Sequence, residues 1–266
     1  GGGDFYIDPA QPVDVAVITH AHGDHARAGH GVVHCLESNE ALLRHRFEKF
    51  PEDGRTTRFV GHAAGERFSL GDVEVSLHPA GHILGSAQVR LEGRGGVTVV
   101  SGDYKRAGDP TCAPFELVAC DTFVTESTFA LPIYRFPDPK ETVAEIYAWW
   151  MQNRAAGRAS VLYCYSLGKA QRILAELRAH TSEAVLVHGA LLELCDLYES
   201  AGVAMLPREP VGPKGSRKKK EFAGRLVLAP PSVRRSPWVR RFGDHETGFA
   251  SGWMQVRGTR RGRGLT

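Results

Sequence analysis

Six consecutive residues constrain this chain more than any other feature: His20-Ala21-His22-Gly23-Asp24-His25. They directly follow residues 13–19 (VDVAVIT), a nearly continuous apolar run of the kind expected for a strand covered on both faces. An irregular loop at the end of a buried strand can aim several side chains at one point. Imidazole and carboxylate ligands with no thiolate among them suit zinc in a catalytic rather than a structural site. His20 and His22, two apart, can chelate one metal, leaving Asp24 and His25 to face a second. Gly23 lets the backbone turn this tightly. A polar turn with incidental histidines is the bland alternative, and four metal-type ligands in six residues weigh heavily against it.

A catalytic centre of this kind needs more ligands. His82 follows Pro79-Ala80-Gly81 and precedes Ile83-Leu84-Gly85-Ser86, a glycine-bounded loop after a strand. Asp103 follows the apolar residues 97–101 through Gly102, and a carboxylate at the end of a buried strand can bridge two zinc ions. Asp8, just before Pro9, is placed to orient a ligand histidine from behind. Read alone, His82 or Asp103 would be an ordinary turn residue; beside the first motif each reads as a ligand.

At 266 residues the chain can form one large domain or two modest ones, and 42% apolar with 24% charged residues is ordinary for a globular protein. Residues 68–78 alternate across a Gly71-Asp72 turn, a hairpin signal. Residues 88–92 and 97–101 form a second hairpin around Gly93, Gly95 and Gly96, and residues 37–47 have helical spacing. Many short strands with little helix between them point to a β-sandwich. The texture then changes. Helices at 140–155, 168–180 and 190–201 alternate with strands at 160–165, 184–188 and 226–229, which reads as a parallel α/β unit, with the domain change near 130–140. Residues 207–224 read as a surface loop, and His245 as a loop histidine.

No apolar run approaches a membrane span, and there is no signal-peptide pattern. Five scattered cysteines, with no Cys-x-x-Cys pair, favour a reducing cytoplasm over a disulfide framework. The net charge of +3 hides an asymmetry: residues 205–266 carry 15 Lys/Arg against 4 Asp/Glu, and residues 1–204 carry 18 against 26. A basic region on an acidic body points to a polyanion such as nucleic acid, with Lys218, Lys219 and Lys220 as its densest run. A merely solvated basic loop has equal standing. Trp149, Trp150, Tyr163, Trp238 and Trp253 read first as packing residues and second as platforms for bases.

The order Asp8, then His20/His22/Asp24/His25, then His82, then Asp103 resembles the metallo-β-lactamase superfamily. Thr125-Glu126-Ser127-Thr128-Phe129 is similar to the acidic motif that opens the β-CASP insert of its nucleic-acid-processing branch, although Ala130 stands where glycine is expected. LPIYRFP (131–137), YSLGKAQR (165–172), APPS (229–232) and SGWMQVRG (251–258) resemble the bacterial ligase-associated DNA exonuclease group, also described as mRNA 3′-end-processing-like.

The resemblance implies an α/β fold: a metallo-β-lactamase αββα sandwich over residues 1–135, an inserted α/β β-CASP domain over 136–255, and the start of a return to the sandwich at 256–266. It implies a zinc-dependent phosphodiesterase, a DNA exonuclease working in end processing with a DNA ligase. Two zinc ions, or manganese after exchange, would be held by His20, His22, Asp24, His25, His82 and Asp103. Asp24 would orient the nucleophile, with Glu126 and Asp8 acting from behind the ligands, and Lys105 and Arg106 would neutralise an incoming phosphate. Neither a Ser-Asp-His nor a Thr-His-Gly segment of the family occurs in these residues, and His245 stands in the wrong place for either. The expectation is therefore a truncated chain with an incomplete second site, about one tightly held zinc, uncovered apolar surface and little activity. An RNA 3′-end-processing nuclease and a catalytically impaired nucleic-acid-binding fragment are the alternatives. A thioesterase or lactonase of the same fold would share the ligands but not need Glu126, the second domain or the basic region.

Overall fold

The computed structural model describes residues 4–51 and 56–252. The chain divides into two compact units, Gly1–Ser127 and Thr128–Thr266.

The first unit opens with β1 (Tyr6–Ile7), β2 (Val15–Val17), β3 (Val32–Leu36), α1 (Glu37–Lys49) and β4 (Arg58–His62). The four strands form a parallel sheet in the order β1-β2-β3-β4. β5 (Arg67–Leu70), β6 (Val73–Pro79), β7 (Ala87–Gly93), β8 (Gly96–Val100) and β9 (Thr122–Val124) follow as a second sheet in sequence order. Its hairpins lie where the glycine-rich turns place them: Leu70 pairs with Val73 around Gly71-Asp72, and Gly93 with Gly96. The period-2 alternation of β6 and β7 sends Val75, Leu77, Ala87 and Val89 inward, where they meet Val17 and Leu36 of the parallel sheet in one buried cluster. The unit is thus a two-sheet sandwich. β9 is exposed at all three positions, and with Leu117 it leaves Phe123 and Val124 in solvent.

In the second unit come α2 (Pro139–Ala155), β10 (Ala159–Cys164), α3 (Lys169–Glu176), β11 (Val185–Val187), α4 (Gly189–Ser200), β12 (Arg208–Pro210), β13 (Leu226–Ala229) and β14 (His245–Ala250). All five strands are parallel, in the order β12-β11-β13-β10-β14. β10 and β13 are buried at every position, as continuous apolar strands covered on both faces must be. α2 starts at a capped end: Asp138 accepts from Lys140 N–H at 2.8 Å, and Pro139 occupies the first turn. Trp150 anchors that helix, fully buried with its indole N–H donating to Gly224 O at 2.9 Å. Truncation of such a side chain to alanine costs about 3–5 kcal/mol.

Several expectations change. Residues 207–224 are not simply a surface loop. They contain the edge strand β12 and a 3-10 turn, Lys219–Phe222, whose Phe222 is buried edge-on against Phe242 at 4.9 Å. A three-residue strand is too short to show periodicity, and one phenylalanine among lysines gives no pattern. His245 opens β14 rather than standing in a loop. The third helix ends at Glu176 and passes into a 3-10 turn. Trp150 and Tyr163 are buried core residues and offer no open stacking face, while Trp238 is partly buried against the core that contains Tyr163. Trp253, most of the SGWMQVRG segment and residues 256–266 lie outside the described residues. None of the five cysteines forms a disulfide. Among the described residues no helix is long and apolar enough to cross a membrane.

Candidate metal centre

Three strand ends of the first unit meet at the histidine motif. Beyond β2 the backbone keeps pairing: Ile18 N–H donates to His34 O, and Thr19 O accepts from Ala87 N–H, both at 2.9 Å. Thr19 is thereby tied to the first residue of β7, and His20 enters the site fully buried. His82 sits in the loop between β6 and β7. Ser86 closes that loop, its Oγ accepting from His82 N–H at 3.0 Å and Ile83 N–H at 3.2 Å. Asp103 follows β8 through Gly102, whose φ of 55° lets its bare Cα face lie against Thr19.

The ligand atoms of His20, His22, His82 and Asp103 all lie within 4.8 Å of one another. His22 Nδ1 stands 3.0 Å from His20 Nε2 and 3.3 Å from His82 Nε2. Asp103 Oδ2 is 3.7 Å from His20 Nε2 and 3.6 Å from His82 Nε2. A tetrahedral zinc with bonds of about 2.0–2.1 Å separates neighbouring ligand atoms by roughly 3.3 Å. The four donors therefore fit one ion with little movement. Asp103 Oδ1 faces the other way, 3.4 Å from His25 Nε2, and Asp24 Oδ2 is 3.9 Å from the same nitrogen. One carboxylate thus turns an oxygen to each of two ligand groups.

Asp8, His20 and His25 also lie together, but Asp8 is occupied in holding the others. Its oxygens accept from Thr19 N–H at 2.7 Å, from Thr19 Oγ1 at 2.6 Å and from His25 Nδ1 at 2.7 Å. It does so at a φ of 46°, a conformation that aspartate tolerates better than most residues.

Electrostatics separates the two groups. Burial, then the neighbouring imidazoles, holds the His20 pKa well below its usual value. Burial and His22 push His82 down to about 4. Both rings are neutral and able to coordinate at neutral pH. His25 behaves oppositely: burial disfavours its charge, but hydrogen bonds to Asp103 and Asp8 outweigh it and raise it to about 10. The same bond to His25 holds Asp103 below the usual carboxylate range.

Of the other sequence candidates, Glu126 is drawn close: its N–H donates at 3.3 Å to Ser101 Oγ, two residues before Asp103. Lys105 is engaged with Asp109 at 2.5 Å, and Arg106 is exposed. Lys218, Lys219 and Lys220 are exposed in the second unit. Sequence reasoning missed Thr19 and Ser86; a hydroxyl residue directly before His20, and another four residues after His82, were the available signals.

No family model matches the chain. It is 31% identical over 250 residues to a probable DNA ligase of Opitutus terrae, covering 94% of this chain and 23% of that protein. It is 30% identical over 199 residues to a ribonuclease of Thermus thermophilus (66% of this chain, 45% of the relative) and 25% identical over 185 residues to an RNase of Saccharolobus solfataricus (60% and 37%). The chain therefore spans less than half the length of these relatives. A solved structure of a protein of unknown function from Enterococcus faecalis superposes with a TM-score of 0.56 at 13% identity, covering 89% of this chain and 69% of that one. That likeness concerns the fold alone.

Proposed function

The chain belongs to the β-CASP nuclease branch of the metallo-β-lactamase superfamily, and on that premise we propose that it hydrolyses phosphodiester bonds of nucleic acid. The observation that carries the reading is Asp103, with one oxygen toward His20, His22 and His82 and the other toward His25. Zinc, or manganese in its place, bound in these groups would supply hydroxide at neutral pH and a Lewis acid for the phosphoryl oxygens. Asp24, with its side chain 79% exposed, stands at the open edge beside His25, where it can orient a water and accept its proton. Asp8 holds His25 directly and His20 through Thr19. Glu126, whose backbone N–H donates to Ser101 Oγ two residues before Asp103, would act from behind the ligands. Arg106, with Lys105 if it leaves Asp109, and the run Lys218, Lys219, Lys220 serve the phosphate backbone by charge.

DNA is the favoured substrate, as a 3′- or 5′-directed exonuclease acting beside a ligase in the cytoplasm, because the probable DNA ligase matches 94% of this chain. RNA is the second reading, favoured by the relatives named as ribonucleases. Digestion of end-labelled single- and double-stranded DNA and RNA, with zinc or manganese, separates them. Nucleotide release that persists in a His20→Ala/His22→Ala variant, or no release from any substrate by the native chain, overturns the proposal.

A further inference from the structure

Against the ligand loop lies a cleft of about 170 Å³, lined by Ala26, Arg27, Ala28, Arg46, Phe47 and Phe50. Arg46, in the last turn of α1, lays its guanidinium on the loop. Its Nε donates to Ala26 O at 2.7 Å, and a Cβ built on Gly23 would stand 2.6 Å from its Nη2. Its Cζ lies 5.3 Å from the centre of the Phe50 ring, which is 58% exposed. Arg27 is exposed beside it, and among the described residues neither arginine forms an ion pair with a carboxylate. Burial, then repulsion from Arg27, lowers the Arg46 pKa, and Asp24 only partly opposes them.

Two cations that form no carboxylate ion pair among the described residues, one of them half-buried, make an arrangement that an anion would stabilise. Guanidinium forks match the oxygens of a phosphate, and an exposed aromatic ring offers a face to a base of any identity. We propose that this cleft is a nucleotide subsite. A phosphodiester of a single-stranded polynucleotide sits between Arg27 and Arg46, an adjoining base stacks on Phe50, and the strand passes the ligand loop at Asp24. The inference rests on the nuclease reading and adds to it a strand path that the sequence pattern did not indicate.

Arg46 also braces the loop through Ala26, so the test uses its neighbours. The zinc-loaded full chain is titrated with a fluorescein-labelled, phosphorothioate-linked single-stranded oligodeoxynucleotide across a salt series. Arg27→Ala is expected to weaken binding about 3- to 10-fold and to lower the slope of log K against log salt by about 1. Phe50→Ala is expected to weaken it about 5-fold or more with the slope unchanged, and Phe50→Trp to restore it. Zinc content should be unchanged in all three. Affinity and slope unaltered in both alanine variants overturn the subsite while leaving the nuclease reading in place. A native chain that binds no oligonucleotide and digests none overturns both.

Discussion

The hydroxyl of Thr19 stands 2.6 Å from Asp8 Oδ2 and 3.0 Å from His20 Nδ1. An ionised carboxylate can only accept, so Thr19 donates to Asp8 and must accept from His20. His20 then carries its proton on Nδ1 and presents a bare Nε2 to His22 and Asp103. The same Asp8 oxygen takes Nδ1–H of His25 at 2.7 Å, turning Nε2 of that ring toward Asp103. One carboxylate, that of Asp8, thus holds the Nδ1 side of a candidate ligand ring in each group.

Thr19→Val keeps the shape and removes the hydroxyl. Loss of such an outer partner typically costs about 10–100-fold in metal affinity. Competition with a chromophoric chelator should show that loss at the His20 group, with Thr19→Ser close to native. Native affinity in Thr19→Val would separate the hydroxyl from the metal altogether.

His25 yields a proton count. Its raised pKa means that, in the metal-free chain, the charged ring contributes stability that is complete below about 6.5 and lost as pH rises through about 10. A metal at Nε2 must displace that proton. Calorimetry at pH 7 in buffers of different ionisation enthalpy should therefore find about one proton released per metal in the His25 group. Affinity there should climb with pH until about 10. Asp8→Asn, which removes one of the two carboxylates, should reduce the release. The four-donor group has no such competitor, so it should fill first and more tightly.

Gly85 tests how the His82 loop is set. It has a φ of 72°, and a Cβ there would stand 2.5 Å from both the Cα and the backbone nitrogen of Asn39 in α1. The obstruction is backbone, which cannot swing aside. Gly85→Ala should cost about 2–4 kcal/mol in thermal or urea unfolding. It should also weaken metal binding, because Ser86 and His82 move with it. A stable variant with native metal affinity would show that the loop docks loosely.

The candidate site was legible in sequence where ligands cluster within a loop or stand just past a buried strand, as His20 to His25, His82 and Asp103 do. The hairpins were legible because Gly71-Asp72 and Gly95-Gly96 interrupt period-2 runs. β14 was not: HETGFA mixes charge and glycine, and only pairing along the full length of β10 makes it a strand. Arg46 was invisible for a different reason. It lies 22 residues beyond Asp24 on a helix where an arginine ordinarily faces water, and only folding lays it on Gly23. Thr19 needed the approach of Asp8 across eleven residues to acquire a role.

A second histidine pair, away from the ligands, ties part of the first unit's stability to pH on the acid side. His34 Nδ1 and His62 Nε2 are 2.9 Å apart, and both rings stack on Phe68, at 5.2 Å and 3.6 Å. Such a bond requires one nitrogen to be unprotonated. Burial, then His62 and Arg58, pushes His34 down to about 4. With the folded pKa depressed from an unfolded value near 6.5, the stability tied to neutral His34 is fully present above about 6.5. It falls as pH drops through the window from about 6.5 to about 4, where the unfolded chain takes up the proton and the folded one does not. His34 is only partly buried, so solvent screening limits the loss to about 1–2 kcal/mol. Chemical unfolding of the metal-free chain at a series of pH values measures it. His82, pushed down to about 4, titrates in the same window, so the informative quantity is the difference between the native chain and His34→Gln. That difference should change by about 1–2 kcal/mol between pH 7 and pH 4, with the native chain losing more. A difference that stays flat across the window would mean that His34 is already protonated in the folded state, and that the stack on Phe68 tolerates its charge.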